Sequence, residues 1–289
     1  MIVSDLPVIC HEVETSDLVY REIDGEQLLG RLYRPLPAKI CPLLLEVHGG
    51  AWVSKDRLLN ADICRFLASH GIAVFSIDFR MPPKHRYPQA VIDINVATRW
   101  LKQNAQQLGT RPDWIGGMGS SSGGHLILLS ALRYAHANYQ AHDEGLVQED
   151  ASLPFVIANW PILDPLGRFH LMQKRGNQKL LDAHAAFWTS EQEMADANPQ
   201  YILDRNEKID LPRLLIVQGS EDENFDASMS EHFAQTYKRR SGEVELRMVM
   251  GAPHSFFNEM PDSAYTKESI DRIVMFTRET LNIWDDASV

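Results

Sequence analysis

The sequence predicts an α/β fold in which an eight-stranded, mostly parallel sheet is flanked by helices. Three observations predict it. From residue 42 onward, short apolar runs alternate with stretches of helical periodicity, the rhythm of successive βαβ units. A glycine-rich turn, Gly119-Ser120-Ser121-Ser122-Gly123, joins an apolar run directly to a helical one. The residues with chemistry to offer, His48, Ser121, Asp222 and His254, each follow an expected strand, and ligands bind outside the carboxyl ends of the strands in such sheets. With 289 residues, 44% of them apolar, the chain suffices for one large core, so a single domain over 1–289 is expected.

The first elements read as an antiparallel hairpin, 18–22 and 28–33, around the turn signal Asp24-Gly25. Strands are then expected near 42–47, 72–77, 113–118, 154–159, 213–218 and 243–250, each a short apolar run bounded by turn residues. Helices are expected near 56–70, 88–108, 123–137, 226–240 and 264–284. In 88–108 the apolar residues Val91, Ile94, Ala97, Leu101 and Leu108 recur at helical steps, and Gly109 is placed to cap the end. Residues 161–211, including a helical stretch over 180–197, exceed what the rhythm requires and are expected as a lid or cap insertion. Trp160, Phe187 and Trp188, with Trp52 opposite, are candidates to line a substrate pocket; the competing reading is that they pack the insertion's own small core. In the last helix, Ile270, Ile273, Val274 and Leu281 leave a homodimer open, although such stripes more often face the core.

The strand-to-helix turn has the form G-x-S-x-G, in which a serine on a sharp turn holds its hydroxyl clear of the backbone and the flanking glycines let strand and helix approach. Ser121 is therefore the candidate nucleophile. His48-Gly49-Gly50-Ala51-Trp52 follows a buried strand, and its glycines, with the residue after the nucleophile, suit an oxyanion hole built from the N–H groups of Gly49, Gly50 and Ser122. A serine hydroxyl needs a neutral imidazole to take its proton, and His254, after the last strand, is the candidate base. The acid that would orient it lies in the loop Gln218-Gly219-Ser220-Glu221-Asp222-Glu223; on spacing alone Asp222 competes with Glu221, Glu223 and Asp226. The chain order Ser, acid, His differs from that of chymotrypsin-like and subtilisin-like enzymes.

Taken together, His48 to Trp52, Ile77-Asp78-Phe79-Arg80 with His85-Arg86-Tyr87-Pro88, Gly119 to Leu126, Gly219 to Asp222 and Pro253-His254-Ser255-Phe256 resemble the hormone-sensitive-lipase-like carboxylesterase branch of the α/β-hydrolases. The likeness runs through 18–280, and its most specific part is Asp78 to Pro88, similar to the branch signature D-Y-R-L-A-P-E-H-x-[FY]-P. The resemblance implies the α/β-hydrolase fold, Ser121 as nucleophile, Asp222 as acid, His254 as base and an acyl-enzyme route on short- to medium-chain carboxylic esters. The sequence also departs from the branch. Gly-Ser-Ser-Ser-Gly stands where G-D-S-A-G is usual, and the Ala51-Trp52 pair resembles the HGGxW loop of kynurenine formamidases, which makes an arylformamidase the alternative. A non-catalytic small-molecule receptor on the same fold is a remoter one.

Bulk properties narrow the partners. A net charge of −11 and no basic run longer than Lys238-Arg239-Arg240 argue against nucleic acid and anionic membrane surfaces. Met1 to Pro7 lacks a basic start and an apolar run, and no later stretch has the length of a membrane span, so a cytoplasmic protein is expected. Cys10, Cys41 and Cys64 are odd in number and lack metal spacing, and the 11 histidines contain no H-x-x-x-H pair; neither metal nor cofactor is expected.

Overall fold

The computed structural model describes residues 10–141 and 149–283, and the expectation drawn from Met1 to Pro7 lies outside them. A single sheet of eight strands runs in the order β1-β2-β4-β3-β5-β6-β7-β8. β1 (Glu12–Ile23) and β2 (Glu26–Leu36) form the hairpin. Its two-residue turn has positive φ at both Asp24 (51°) and Gly25 (77°), the conformation whose twist matches paired strands. β2 pairs antiparallel with β4 (Ala73–Ile77). β3 (Leu43–Val47), β5 (Ile115–Ser120), β6 (Phe155–Asn159), β7 (Arg213–Gly219) and β8 (Val244–Val249) continue in parallel. β3 to β6 are buried along their whole length, as continuous apolar runs covered on both faces must be.

The helices are α1 (Ala61–Ser69), α2 (Gln89–Gln103), α3 (Ala105–Leu108), α4 (Ser122–Leu132), α5 (Pro165–Arg175), α6 (Gln178–Phe187), α7 (Glu191–Asp196), α8 (Pro199–Asp204), α9 (Ala227–Arg239), α10 (Phe256–Glu259) and α11 (Ala264–Leu281). They cover both faces, as alternate residues of one strand show. A Cβ on Gly116 would meet the ring of Phe155, which itself packs edge-on against Phe276 of α11, whereas a Cβ on the next residue, Gly117, would meet Ile127 of α4.

Several elements differ from expectation. The helix expected at 56–70 begins only at Ala61, because 57–60 form turns in which Arg57 is held by Asp78. The helix over 88–108 breaks at Asn104 into α2 and α3, and Gly109 caps the second in the left-handed region (φ 75°). The stretch 180–197 is two helices, α6 and α7, because Trp188 turns extended and Ser190 caps a new start through its side chain. The apolar stripe of α11 faces inward: Ile270, Ile273 and Val274 belong to the core and Leu281 packs against it.

The 78–88 signature proves to be a brace around the first crossover. Asp78 accepts from the Arg57 N–H (2.9 Å) and Nη1 (2.7 Å), and Tyr20 donates to the Asp78 carbonyl (2.6 Å). Arg80 forks onto Asp93 of α2, whose carboxylate is wholly buried and also takes Arg21 of β1. Charge at these positions ties β1, the loop after β4 and α2 into one unit.

Candidate active site

The carboxyl ends of β3, β5, β6, β7 and β8 converge on one edge of the sheet, and the predicted residues lie on the loops that leave them. The turn after β5 carries the main strain. Ser121 has φ 53° and ψ −118°, a conformation unfavourable for a side-chain-bearing residue and held by the bonds on either side: its N–H donates to the Asn159 carbonyl (2.9 Å) and its carbonyl accepts from His125 (3.1 Å). Gly123 shows why the turn needs glycine, since a Cβ there would lie 2.0 Å from the Val47 carbonyl oxygen at the end of β3.

Ser121, His254 and Asp222 meet. His254 Nε2 is 3.1 Å from Ser121 Oγ, and His254 Nδ1 is 2.8 Å from Asp222 Oδ2. The Asp222 side chain is fully buried, and its oxygens also accept from Gln218 Nε2 (3.1 Å) and the Asn224 N–H (2.8 Å), which fixes the carboxylate's orientation. Of its competitors, Asp226 caps α9 by accepting from the Ser228 N–H, and the side chains of Glu221 and Glu223 are exposed. Trp160 and Phe225 stand edge-on to the imidazole, at 6.2 and 5.7 Å between ring centres.

The loop after β3 curls under the serine. Gly50 takes φ 118°, and a Cβ there would lie 2.0 Å from the Ser54 carbonyl oxygen, so glycine is required. Among the described residues, no acceptor pairs with the backbone N–H of Gly49, Gly50 or Ser122. Ser120, standing where the resemblance puts an aspartate, accepts from Asn60 Nδ2 (3.1 Å); Asn60 Nδ2 also reaches Glu46 Oε1 of β3 (2.7 Å). Glu46 is fully buried, and burial raises its carboxyl to about 7.

A cavity of about 800 Å³ opens over Ser121 and His254. Gly49, Gly50 and Trp160 line it, and α6 supplies a wall through Gln178, Lys179, Leu180, Asp182, Ala183 and Ala186. Three of the four aromatics expected to line a pocket do not. Trp52, Phe187 and Trp188 are buried behind the wall, where Trp52 stacks on Phe187 (5.4 Å, 12°) and meets Trp188 edge-on. They join α6 to the loop after β3, so the large rings serve packing there. His125 shares this cluster: it accepts from Trp52 Nε1 (3.2 Å), lies 2.9 Å from the Ala197 carbonyl, and is driven down to about 4 by burial, which keeps it neutral.

Sequence reasoning missed Arg168 of α5. Only 2% exposed, it lines the cavity, lies 5.6 Å over the Trp52 ring and has Nη1 2.8 Å from His184 Nε2. The signal was present, because Pro165, Arg168 and Met172 are the buried positions of α5 and the arginine therefore stands on an otherwise apolar stripe. Among the described residues no His, Cys, Asp and Glu group is arranged to hold a metal ion, and no helix is long and apolar enough to cross a membrane.

Comparison with known proteins adds to this geometry. The BD-FAE family description matches residues 32–237. The chain is 28% identical to esterase LipC of Mycobacterium tuberculosis over 290 aligned positions, covering 94% of this chain and 68% of that one. It is 27% identical to the ethyl acetate hydrolase of Pseudomonas putida, covering 83% of this chain and 75% of that one. Among solved structures, an esterase from Pyrobaculum calidifontis superposes with a TM-score of 0.77 at 21% identity, covering 94% of this chain and 87% of that one. Propionate-bound esterase Est2 of Thermogutta terrifontis gives 0.75 at 22%, covering 98% of each chain. At those identities the structural likeness speaks for the fold.

Proposed function

Since the chain belongs to the BD-FAE family, within the hormone-sensitive-lipase-like carboxylesterases of the α/β-hydrolases, we propose that it is a serine hydrolase of short- to medium-chain carboxylic esters. The observation that carries the proposal is the relay from Asp222 through His254 to Ser121, with spacings of 2.8 and 3.1 Å. His254 Nδ1 donates to Asp222, which leaves Nε2 free to accept the Ser121 proton as Oγ attacks the ester carbonyl. The developing oxyanion takes hydrogen bonds from the N–H groups of Gly49, Gly50 and Ser122, donors of a kind that contribute about 3 kcal/mol each to the transition state. His254 then protonates the departing alcohol, and a water activated by the same imidazole hydrolyses the acyl-Ser121 ester.

The names of the relatives, an esterase and an ethyl acetate hydrolase, agree with this chemistry and with a small acyl group. We assign residues 161–211 to the pocket wall, with Trp160 against the substrate and Trp52, Phe187 and Trp188 supporting from behind.

The test is hydrolysis of p-nitrophenyl esters from acetate to dodecanoate by wild type and Ser121→Ala, with an N-formyl aromatic amide alongside. The expected result is activity peaking at short chains in wild type and reduced by at least about a thousandfold in the variant. Faster turnover of the formamide than of any ester would assign the protein to the arylformamidases instead. No turnover of either, together with no labelling of Ser121 by a phosphonate, would leave a binding role on this fold.

A further inference from the structure

One charge in the cavity has no counterpart. Arg168 is 2% exposed and shares the cavity with Ser121 and His254, yet no carboxylate lies within ion-pair distance of it among the described residues. Its Nη1 reaches only the imidazole of His184, and its Nε is buried without an acceptor. His184 is driven down to about 3 by burial and by the adjacent guanidinium, so it is a neutral acceptor and cancels no charge. The Asp222 carboxylate acts on Arg168 only from a distance, and its oxygens are already taken by His254, Gln218 and Asn224.

Burying a guanidinium without a counter-ion is strongly unfavourable, and natural cores avoid it unless something pairs with it. Stacking over Trp52 offsets part of that penalty. Burial lowers Arg168 to about 10, so it stays cationic at neutral pH. At the mouth the exposed Lys55 and Lys179 are matched in charge by the exposed Asp182 and Glu259, so the charge of Arg168 deeper in the cavity is the one left without a partner among the described residues.

Resting on the esterase reading above, we propose that Arg168 recognises a carboxylate on the substrate, so that the preferred substrates are esters carrying a free acid group, such as half-esters of dicarboxylic acids. A planar guanidinium pairs with a carboxylate through two parallel N–H···O bonds, which would complete both its charge and its hydrogen bonding. The residue sets specificity while Ser121 and His254 perform the chemistry.

The test compares p-nitrophenyl half-esters of succinate, glutarate, adipate and suberate with carboxamide-capped analogues of equal length, and acetate esters of hydroxy acids with those of the corresponding hydroxy amides. In wild type the acid is expected to exceed its amide in kcat/KM by about ten- to a hundredfold at the length that spans the cavity, chiefly through KM. Arg168→Met should erase that ratio and Arg168→Lys should keep part of it. Because each ratio is taken within one protein, loss of folded material does not move it. Equal rates for acid and amide at every length in both series would overturn the inference while leaving Ser121-dependent esterase activity standing. A fall in Arg168→Met that is the same for acid and amide would also overturn it, by assigning the arginine to support of Asp222 or of packing. If no ester in either series is turned over, the esterase reading falls and this inference with it.

Discussion

Glu46 stands near the carboxyl end of β3 with its side chain wholly buried, between Asn60 and Ser76, and among the described residues no cation pairs with it. Burial raises its carboxyl from 4.5 to about 7, so between those values the folded protein keeps a proton that the unfolded chain has released. Stability therefore falls as pH rises through that window, by on the order of 3 kcal/mol for a fully buried group. Glu46→Gln is expected to match wild type near pH 4 and to exceed it above pH 7, as read from urea midpoints across that range; parallel pH profiles for the two proteins would refute the assignment. At this scale the sequence was legible where a role demands a residue type at a strand end. That Ser121, Asp222 and His254 meet follows from such positions. The choice of Asp222 over Glu221, Glu223 and Asp226 does not, because only the path of the loop decides which carboxylate turns toward the imidazole. Glu46 was illegible for a different reason, since a single charge inside an apolar run reads as tolerated surface until its surroundings are known, whereas Arg168 left a faint signal in the spacing of Pro165, Arg168 and Met172.

Elements were easiest to read where one period runs unbroken. From β3 onward the strands lie within two residues of their expected positions, helped in β3 to β6 by runs buried throughout, whereas the half-exposed hairpin strands β1 and β2 extend well beyond 18–22 and 28–33. Helix limits shifted where a local competitor acts, as when Asp78 captures Arg57 ahead of α1 or Ser190 starts α7 afresh. The aromatics of the insertion were legible as large and buried but not as to what they touch. Trp52 holds α6 to the loop after β3 by stacking on Phe187 and meeting Trp188 and His184 edge-on, and Arg168 lies over its face. Trp52→Ala is expected to lose about 3–5 kcal/mol in denaturant unfolding, the usual range for emptying a large buried site. Because the cavity wall would lose its backing, the same variant should raise KM for p-nitrophenyl butyrate more than it lowers kcat. An unchanged KM would mean that α6 keeps its place without the indole.

Across the whole molecule, the buried carboxylate of Asp93 joins the antiparallel start of the sheet to its parallel body, through Arg21 of β1 and through Arg80 after β4. Removing one member of such a cluster leaves buried charge uncompensated, which costs about 3–5 kcal/mol. Asp93→Asn is expected to lower the melting temperature by roughly 10 °C as a single shifted transition, read by calorimetry. A separate early transition would show instead that the hairpin unfolds on its own. The site has two kinds of boundary. On one side, the serine turn is pressed by Gly123 onto the end of β3, so its shape is inseparable from the interior. On the other, α6 presents Gln178, Lys179 and Asp182 to the opening while its opposite face is anchored by rings that do not line the cavity. Divergence toward new substrates has an easy path along that helix and a hard one elsewhere, and a library confined to its outward positions would explore substrate range while sparing both the serine turn and the core.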